Sequence, residues 1–423
     1  MAADSSPWRH DLARIEKRKN PILMQTSPKP IREVECDRHT RGISGPMSPL
    51  PISGNSSRVP VLDGVRGVAS IMVLIYHLVP NIISAPPGSS LAYIQRILSV
   101  GRTGVDLFFV LSGFLIAGIL LDARESPHYF QTFYIRRICR IFPLYYALLV
   151  CYALLLAFVH TDLFGLLSHS PALLWYVPFG QNFAMALSIV KHRPTFWMGG
   201  IWMTATWSLA IEEQFYLALP LAIRVMPTRR VLVTITACLL ALAPLIRWML
   251  TARYGDNALL VSYVLPFTRM DALSMGVLLA CASRSGVWER GRRYAPLAAG
   301  VSLFLTGVLF WRHEDMGILS YSVYSVLYGS LLILASGPGH NAWTALLANH
   351  VTRYLGKMSY STYLFQLIAL RLSFGWMQRH PRLSSGADLA PIGVALAVTL
   401  VLSALSLRYF EMPFMRLGQK YSY

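Results

Sequence analysis

Arg66 and His77 lie eleven residues apart in a stretch, 61–83, that is otherwise almost uniformly apolar. On a helix, eleven residues return to within about 20° of the starting direction, so both side chains share one face. The rise between them is roughly 16 Å, about half of a bilayer's hydrocarbon core. Charged and titratable groups on an apolar helix are costly unless they face a polar interior, which marks them as a functional site. A histidine can move a proton or carry a group near neutral pH, and an arginine can hold an anion. Taken alone, an interfacial anchor and a satisfied polar contact explain the pair equally well. Glu212, Glu213 and Gln214 interrupt a second apolar stretch, just after Trp207. Glu212, at a depth comparable to His77, would orient that histidine as a base. Arg137 and Arg140 are i, i+3 neighbours that could clamp a polyanion, although topology signalling alone accounts for them. Asp63 is placed to cap the first helix and to meet Arg66 three residues on. Ser112 and Gly113 are small and suit close helix packing. Arg269 and Asp271 are expected to neutralise each other within one span.

The elements that must position these groups follow from composition. The chain has 423 residues, of which 54% are hydrophobic and 14% charged, with a mean hydropathy of +0.47. A soluble domain of this length carries more charge. Apolar runs long enough to cross a bilayer recur throughout, so the fold class is an all-α integral membrane protein. The runs are 65–83, 105–121, 142–160, 206–223, 231–250, 258–282, 296–310, 317–335, 358–373 and 391–407, a bundle of about ten transmembrane helices. With the N-terminus in the cytoplasm, and Lys or Arg near a run's end counted to the nearer side, 27 fall inside, 10 outside and Arg269 in mid-span. That bias places both termini in the cytoplasm. The net charge of +18 therefore reports topology, and no nucleic-acid partner is needed to explain it. Residues 172–190 contain Pro178, Gly180, Gln181 and Asn182 and read as a re-entrant segment that roofs a site. Cys36, Cys139, Cys151, Cys238 and Cys281 imply neither a disulfide framework nor a metal site.

Residues 1–58, basic and rich in Pro and Ser, read as a disordered cytoplasmic tail without a signal-peptide core, Met24 and Met47 being alternative starts. Residues 59–414 form the membrane domain and 415–423 a short cytoplasmic tail. No soluble catalytic domain is expected at either end, so the chemistry belongs to the membrane domain.

Seven stretches together resemble the membrane-bound acyltransferase 3 family, multi-pass O-acyltransferases of polysaccharide, Nod-factor and macrolide pathways. They are Leu62-Asp-Gly-Val-Arg-Gly-Val-Ala69 through His77, Phe108-Phe-Val-Leu-Ser-Gly113, Arg137-Ile-Cys-Arg140, and Trp207-Ser-Leu-Ala-Ile-Glu212 with Phe215 and Tyr216. Arg269-Met-Asp271 with Gly276, Leu355-Gly-Lys-Met-Ser-Tyr360 and Tyr409-Phe-Glu-Met-Pro413 complete the set in family order. The chain departs at Gln366, where members commonly carry a histidine, and shows no counterpart of the periplasmic hydrolase-like domain fused to some members.

The resemblance implies transfer of an acyl group, usually acetyl, from cytoplasmic acyl-CoA to a hydroxyl of a glycan, lipid-linked saccharide or macrolide at the cell (inner) membrane. Acyl-CoA is then a co-substrate, with no bound cofactor and no metal. Arg66, Arg137 and Arg140 would bind its phosphates, and the pantetheine arm would reach His77, acting as base or acyl carrier. Glu212 would orient or recharge His77, supported by Asp63, Ser112, Arg269 and Asp271. A secondary transporter would show repeat symmetry and paired interrupted helices, and a non-catalytic glycan-export partner would not turn over acyl-CoA.

Overall fold

Pro60 opens the first helix, a position where proline's missing N–H costs nothing and its fixed φ is already helical. The computed structural model describes residues 60–80, 82–83, 85, 88–159, 173–191, 203–337, 342–377 and 388–423. The expected tail, 1–58, lies outside them. The helices are α1 (Pro60–Leu78), α2 (Ser90–Ser99), α3 (Gly104–Asp122), α4 (Tyr129–Phe158), α5 (Gln181–Val190), α6 (Trp207–Val225), α7 (Arg229–Tyr254) and α8 (Asn257–Val264). They continue as α9 (Met270–Ala282), α10 (Val287–Trp311), α11 (Ser320–Ala335), α12 (Ala342–Ala348), α13 (His350–Lys357), α14 (Ser359–Trp376), α15 (Leu389–Leu405) and α16 (Met412–Gln419). Among the described residues there is no β-strand.

Among the described residues, six helical stretches are long and apolar enough to cross a membrane: Pro60–Leu78, Ser90–Asp122, Tyr129–Phe158, Arg229–Tyr254, Val287–Trp311 and Leu389–Gln419. The expected run 206–223 is the helix α6, but Glu212, Glu213 and Arg224 lower its hydropathy. The run 258–282 is not one helix. Pro266 lacks an N–H and forces Leu265 into extended backbone (φ −83°, ψ 140°), so α8 ends and α9 starts afresh beyond a 3₁₀ turn. Arg269 sits at that break.

Within the segment 172–190, α5 has ten residues, a rise of roughly 15 Å that is too short to cross alone. Phe179, just before it, takes φ +56°. The expected tail from 415 is helical through Gln419 and packs on α4.

Two glycine crossings set the helix spacing around α1 and α3. A Cβ on Gly67 would run into the Thr352 carbonyl of α13, and one on Gly356 into the Asp63 carbonyl of α1. Likewise Gly113 of α3 abuts the Leu273 carbonyl, and Gly276 of α9 the Val110 carbonyl. With no side chain in the way, the backbones approach closely enough for dispersion to replace the missing hydrophobic drive between membrane helices. Four of the matched stretches are therefore two pairs of facing surfaces.

Candidate active site

The polar groups of α1 form two stations. At the first, Arg66 Nη1 meets Asp63 Oδ1 at 2.8 Å. Asp63 lies in the first helical turn and not at the cap, because the helix already starts at Pro60. Ser112 Oγ of α3 donates to Glu212 Oε1 of α6 at 2.8 Å. Tyr216, one turn beyond Glu212, donates to Ser112 Oγ at 3.2 Å and reaches Glu212 Oε2 at 3.4 Å. Arg137 of α4 lies 5.6 Å from the centre of the Tyr216 ring, a cation–π contact. The charges of Arg137 and Arg66 both reach Glu212. Asp63, Arg66, Ser112, Arg137, Glu212 and Tyr216 thus converge from four helices.

The second station surrounds His77, near the other end of α1. The Gln366 side chain of α14 hydrogen-bonds the imidazole, which also lies close to the Val73 carbonyl one turn back. His77 Nδ1 is buried with no geometrically sound hydrogen-bond partner among the described residues. Gln366 Nε2 donates to the Tyr363 carbonyl at 3.2 Å, which leaves its oxygen to accept from the imidazole. Sequence reasoning expected Glu212 to orient His77. Glu212 is instead held by Ser112 and Tyr216, and Gln366 takes that place. Tyr363 connects the stations: its hydroxyl meets Oγ of Ser208, one turn before Glu212 on α6, at 2.6 Å and donates to the Ala205 carbonyl at 2.6 Å.

Arg140 does not join Arg137. It turns to Met415 Sδ of α16, 3.9 Å away, and to the charge of Glu411.

Arg269 and Asp271 do not pair with each other either. Arg269 binds Asp106 of α3 at 2.9 Å, with Tyr321 3.8 Å beneath its guanidinium and Phe109, Trp207 and Tyr263 5.5–5.9 Å away. Asp271 binds Arg247 of α7 at 3.0 Å, and Ser322 bridges the two at 2.8 and 2.9 Å. Arg102 and Asp315 form a third ion pair. This balanced set ties the α8–α9 break to α3, α6, α7 and α11. Asp106 and Arg247 carried no sequence signal beyond being polar in apolar runs. Among the described residues, no three His, Cys, Asp or Glu side chains gather as a metal would require.

A family model described as an acyltransferase domain matches residues 59–408. The chain belongs to the acyltransferase 3 family. It is similar to a peptidoglycan O-acetyltransferase, OatA, of Listeria monocytogenes, at 27% identity over 85% of this chain and 56% of that protein. An O-acetyltransferase, OatA, of Staphylococcus aureus strain NCTC 8325 is 25% identical over 86% of this chain and 58% of its own length. A protein of S. aureus strain COL with a provisional O-acetyltransferase name aligns with the same figures. The chain thus spans under three-fifths of the length of these relatives. No solved structure matches it. Within the acyltransferase domain, every matched stretch supplies a residue to the two stations, to the glycine crossings, to the ion pairs around Arg269, or to the polar contacts of Glu411.

Proposed function

We propose that the chain is an integral-membrane O-acyltransferase that moves an acyl group, in the first instance acetyl, from acyl-CoA to a hydroxyl of a glycan. The observation that carries this reading is His77. Its Nδ1 is buried and unpartnered among the described residues, its ring is held by Gln366, and it shares a helix face with Arg66. The donor's pyrophosphate lies at Arg66 and Arg137, where planar guanidinia suit paired phosphate oxygens. Asp63 holds the Arg66 fork, and Glu212 keeps Tyr216 and Arg137 in place. Arg140 braces α16.

The thioester is then at His77. The imidazole takes the proton of the acceptor hydroxyl, the oxygen attacks the thioester carbonyl, and the carbon–sulfur bond breaks. The proton passes from His77 to the departing thiolate, which returns the ring to its starting state. In the bilayer, α6, the α8–α9 pair, α11 and α14 add to the six long helices, giving the ten-span arrangement with both termini cytoplasmic and 172–190 re-entrant. A glycan acceptor accords with the name of the L. monocytogenes relative, a peptidoglycan O-acetyltransferase.

The test compares cells that express the wild type with cells that express His77→Ala at equal levels. Mass spectrometry of their surface glycans is expected to find ester-linked acetyl groups only with the wild type. Equal acetylation in both would remove His77 from the chemistry.

A further inference from the structure

Arg124, Arg224 and Arg229 gather where α3 and α6 end and α7 begins. This is the end of the bundle away from His77, since α3 starts beside Ala69 and Val73 of α1 and runs away from them. Between these elements lies a cavity of about 200 Å³ lined by Leu121, Arg124, Ile223, Met226, Thr228 and Arg229. Its floor is apolar and its rim is cationic.

The rim keeps an excess of positive charge. Arg124 Nη2 donates to the Met226 carbonyl at 2.5 Å and Arg229 Nη1 to the Arg284 carbonyl at 2.7 Å, neither of which supplies a negative charge. Asp122 is committed to Arg284 by two contacts of 2.6 Å. One carboxylate, that of Glu125, pairs with both Arg124 at 3.9 Å and Arg224 at 3.8 Å, and it is 88% exposed to solvent. The first turn of α7 faces the same space. Thr228 Oγ1 caps the Val231 amide, and the positive end of a 26-residue helix adds to the guanidinia.

We propose that this cavity binds the 3′-phosphate of the acyl-CoA donor, the end of the molecule opposite the thioester. The inference rests on the acyl-CoA reading above and extends it to two residues outside the matched motifs. Spacing supports it. From Tyr216, which stacks with Arg137, to Ile223 on the cavity wall, α6 rises roughly 10 Å. In coenzyme A one ribose separates the pyrophosphate from the 3′-phosphate, and the reach of the arginine side chains closes the remaining gap. The apolar floor of Leu121, Ile223, Met226 and Leu232 offers the adenine a surface. Arg140 is turned away, so Arg124 and Arg229 supply the guanidinia that the donor's last phosphate needs.

The experiment uses full-length protein in nanodiscs with acetyl-CoA or acetyl-3′-dephospho-CoA as donor. The wild type is expected to prefer acetyl-CoA by about tenfold or more in kcat/KM, as charge-assisted contacts to one phosphate would give. Arg124→Gln/Arg229→Gln should lose that preference by a rise in KM for acetyl-CoA alone, with kcat and the dephospho donor unchanged. A variant that keeps the wild-type preference overturns the assignment. So does a variant impaired equally with both donors, and if anionic nanodisc lipid is what both then require, the cavity is a lipid headgroup site. Failure of the wild type to turn over either donor would instead remove the acyl-CoA reading, and this site with it.

Discussion

At the residue scale, Glu212 and Glu213 are neighbours with opposite circumstances. Glu212 accepts hydrogen bonds from Ser112 and Tyr216, whereas Glu213 Oε1 is buried with no hydrogen-bond partner among the described residues. If Glu212 holds the donor end, Glu212→Gln raises KM for acyl-CoA and leaves kcat nearly intact; if it orients His77, kcat falls first. Steady-state kinetics are expected to give the KM effect, and to find Glu213→Gln close to wild type. The same logic separates the two arginines of the Arg137-Ile-Cys-Arg140 stretch. Arg137→Lys loses the planar fork and the stacking on Tyr216, so KM for acyl-CoA should rise about tenfold. Arg140→Lys keeps a cation beside Glu411 and should leave KM unchanged. Equal effects from both lysines would restore the clamp that their spacing suggests.

At the element scale, the break between α8 and α9 is held by buried ions, not by apolar packing alone. Removing one partner strands the other charge, a loss of about 3–5 kcal/mol. Arg269→Met should therefore lower the melting temperature of the purified protein sharply, and Arg269→Met with Asp106→Leu should recover most of it. A single variant as stable as wild type would show that the pair adds nothing. The sequence hinted at Asp271 as the partner because it is two residues away, but residues i and i+2 point to different sides of a helix. The partner came from α3. Ser112 and Gly113 read together as packing residues with Ser112 also in a supporting role: Gly113 does pack on α9, while the serine hydroxyl donates to Glu212 across a gap that only the assembled helices create. By contrast, Arg66 and His77 were legible because their relation lies within one helix, where the 3.6-residue period decides which side chains share a face. Gln366 stood out in the sequence as a departure from the family pattern. Its contact with His77 depends on how α14 meets α1, which no local pattern encodes.

At the scale of the whole molecule, the expected apolar runs each fall on a helix or helix pair. Six of those stretches meet the length and hydropathy of a crossing. The others carry the site's charges or stop short, since a helix buried among partners need not be apolar all round. The ten-span arrangement makes a definite prediction for single cysteines placed beside Arg124, Arg229, Arg290, Arg96 and Arg312. An impermeant thiol reagent added outside intact cells should label only the last two. External labelling beside Arg229 would mean that 172–190 crosses fully and that the helices after it are inverted. The donor and acceptor compartments would then be exchanged for everything from α7 onward.

The most direct test of the whole reading is release of CoA from acetyl-CoA by the purified protein in nanodiscs, with a soluble glycan fragment as acceptor. Wild-type protein is predicted to release CoA and acetylate the fragment in equal amounts. His77→Ala, folded and inserted to the same extent, is predicted to be slower by on the order of 10²–10⁴-fold. Wild-type rates from the alanine variant would contradict the assignment of His77 as the group that moves the proton.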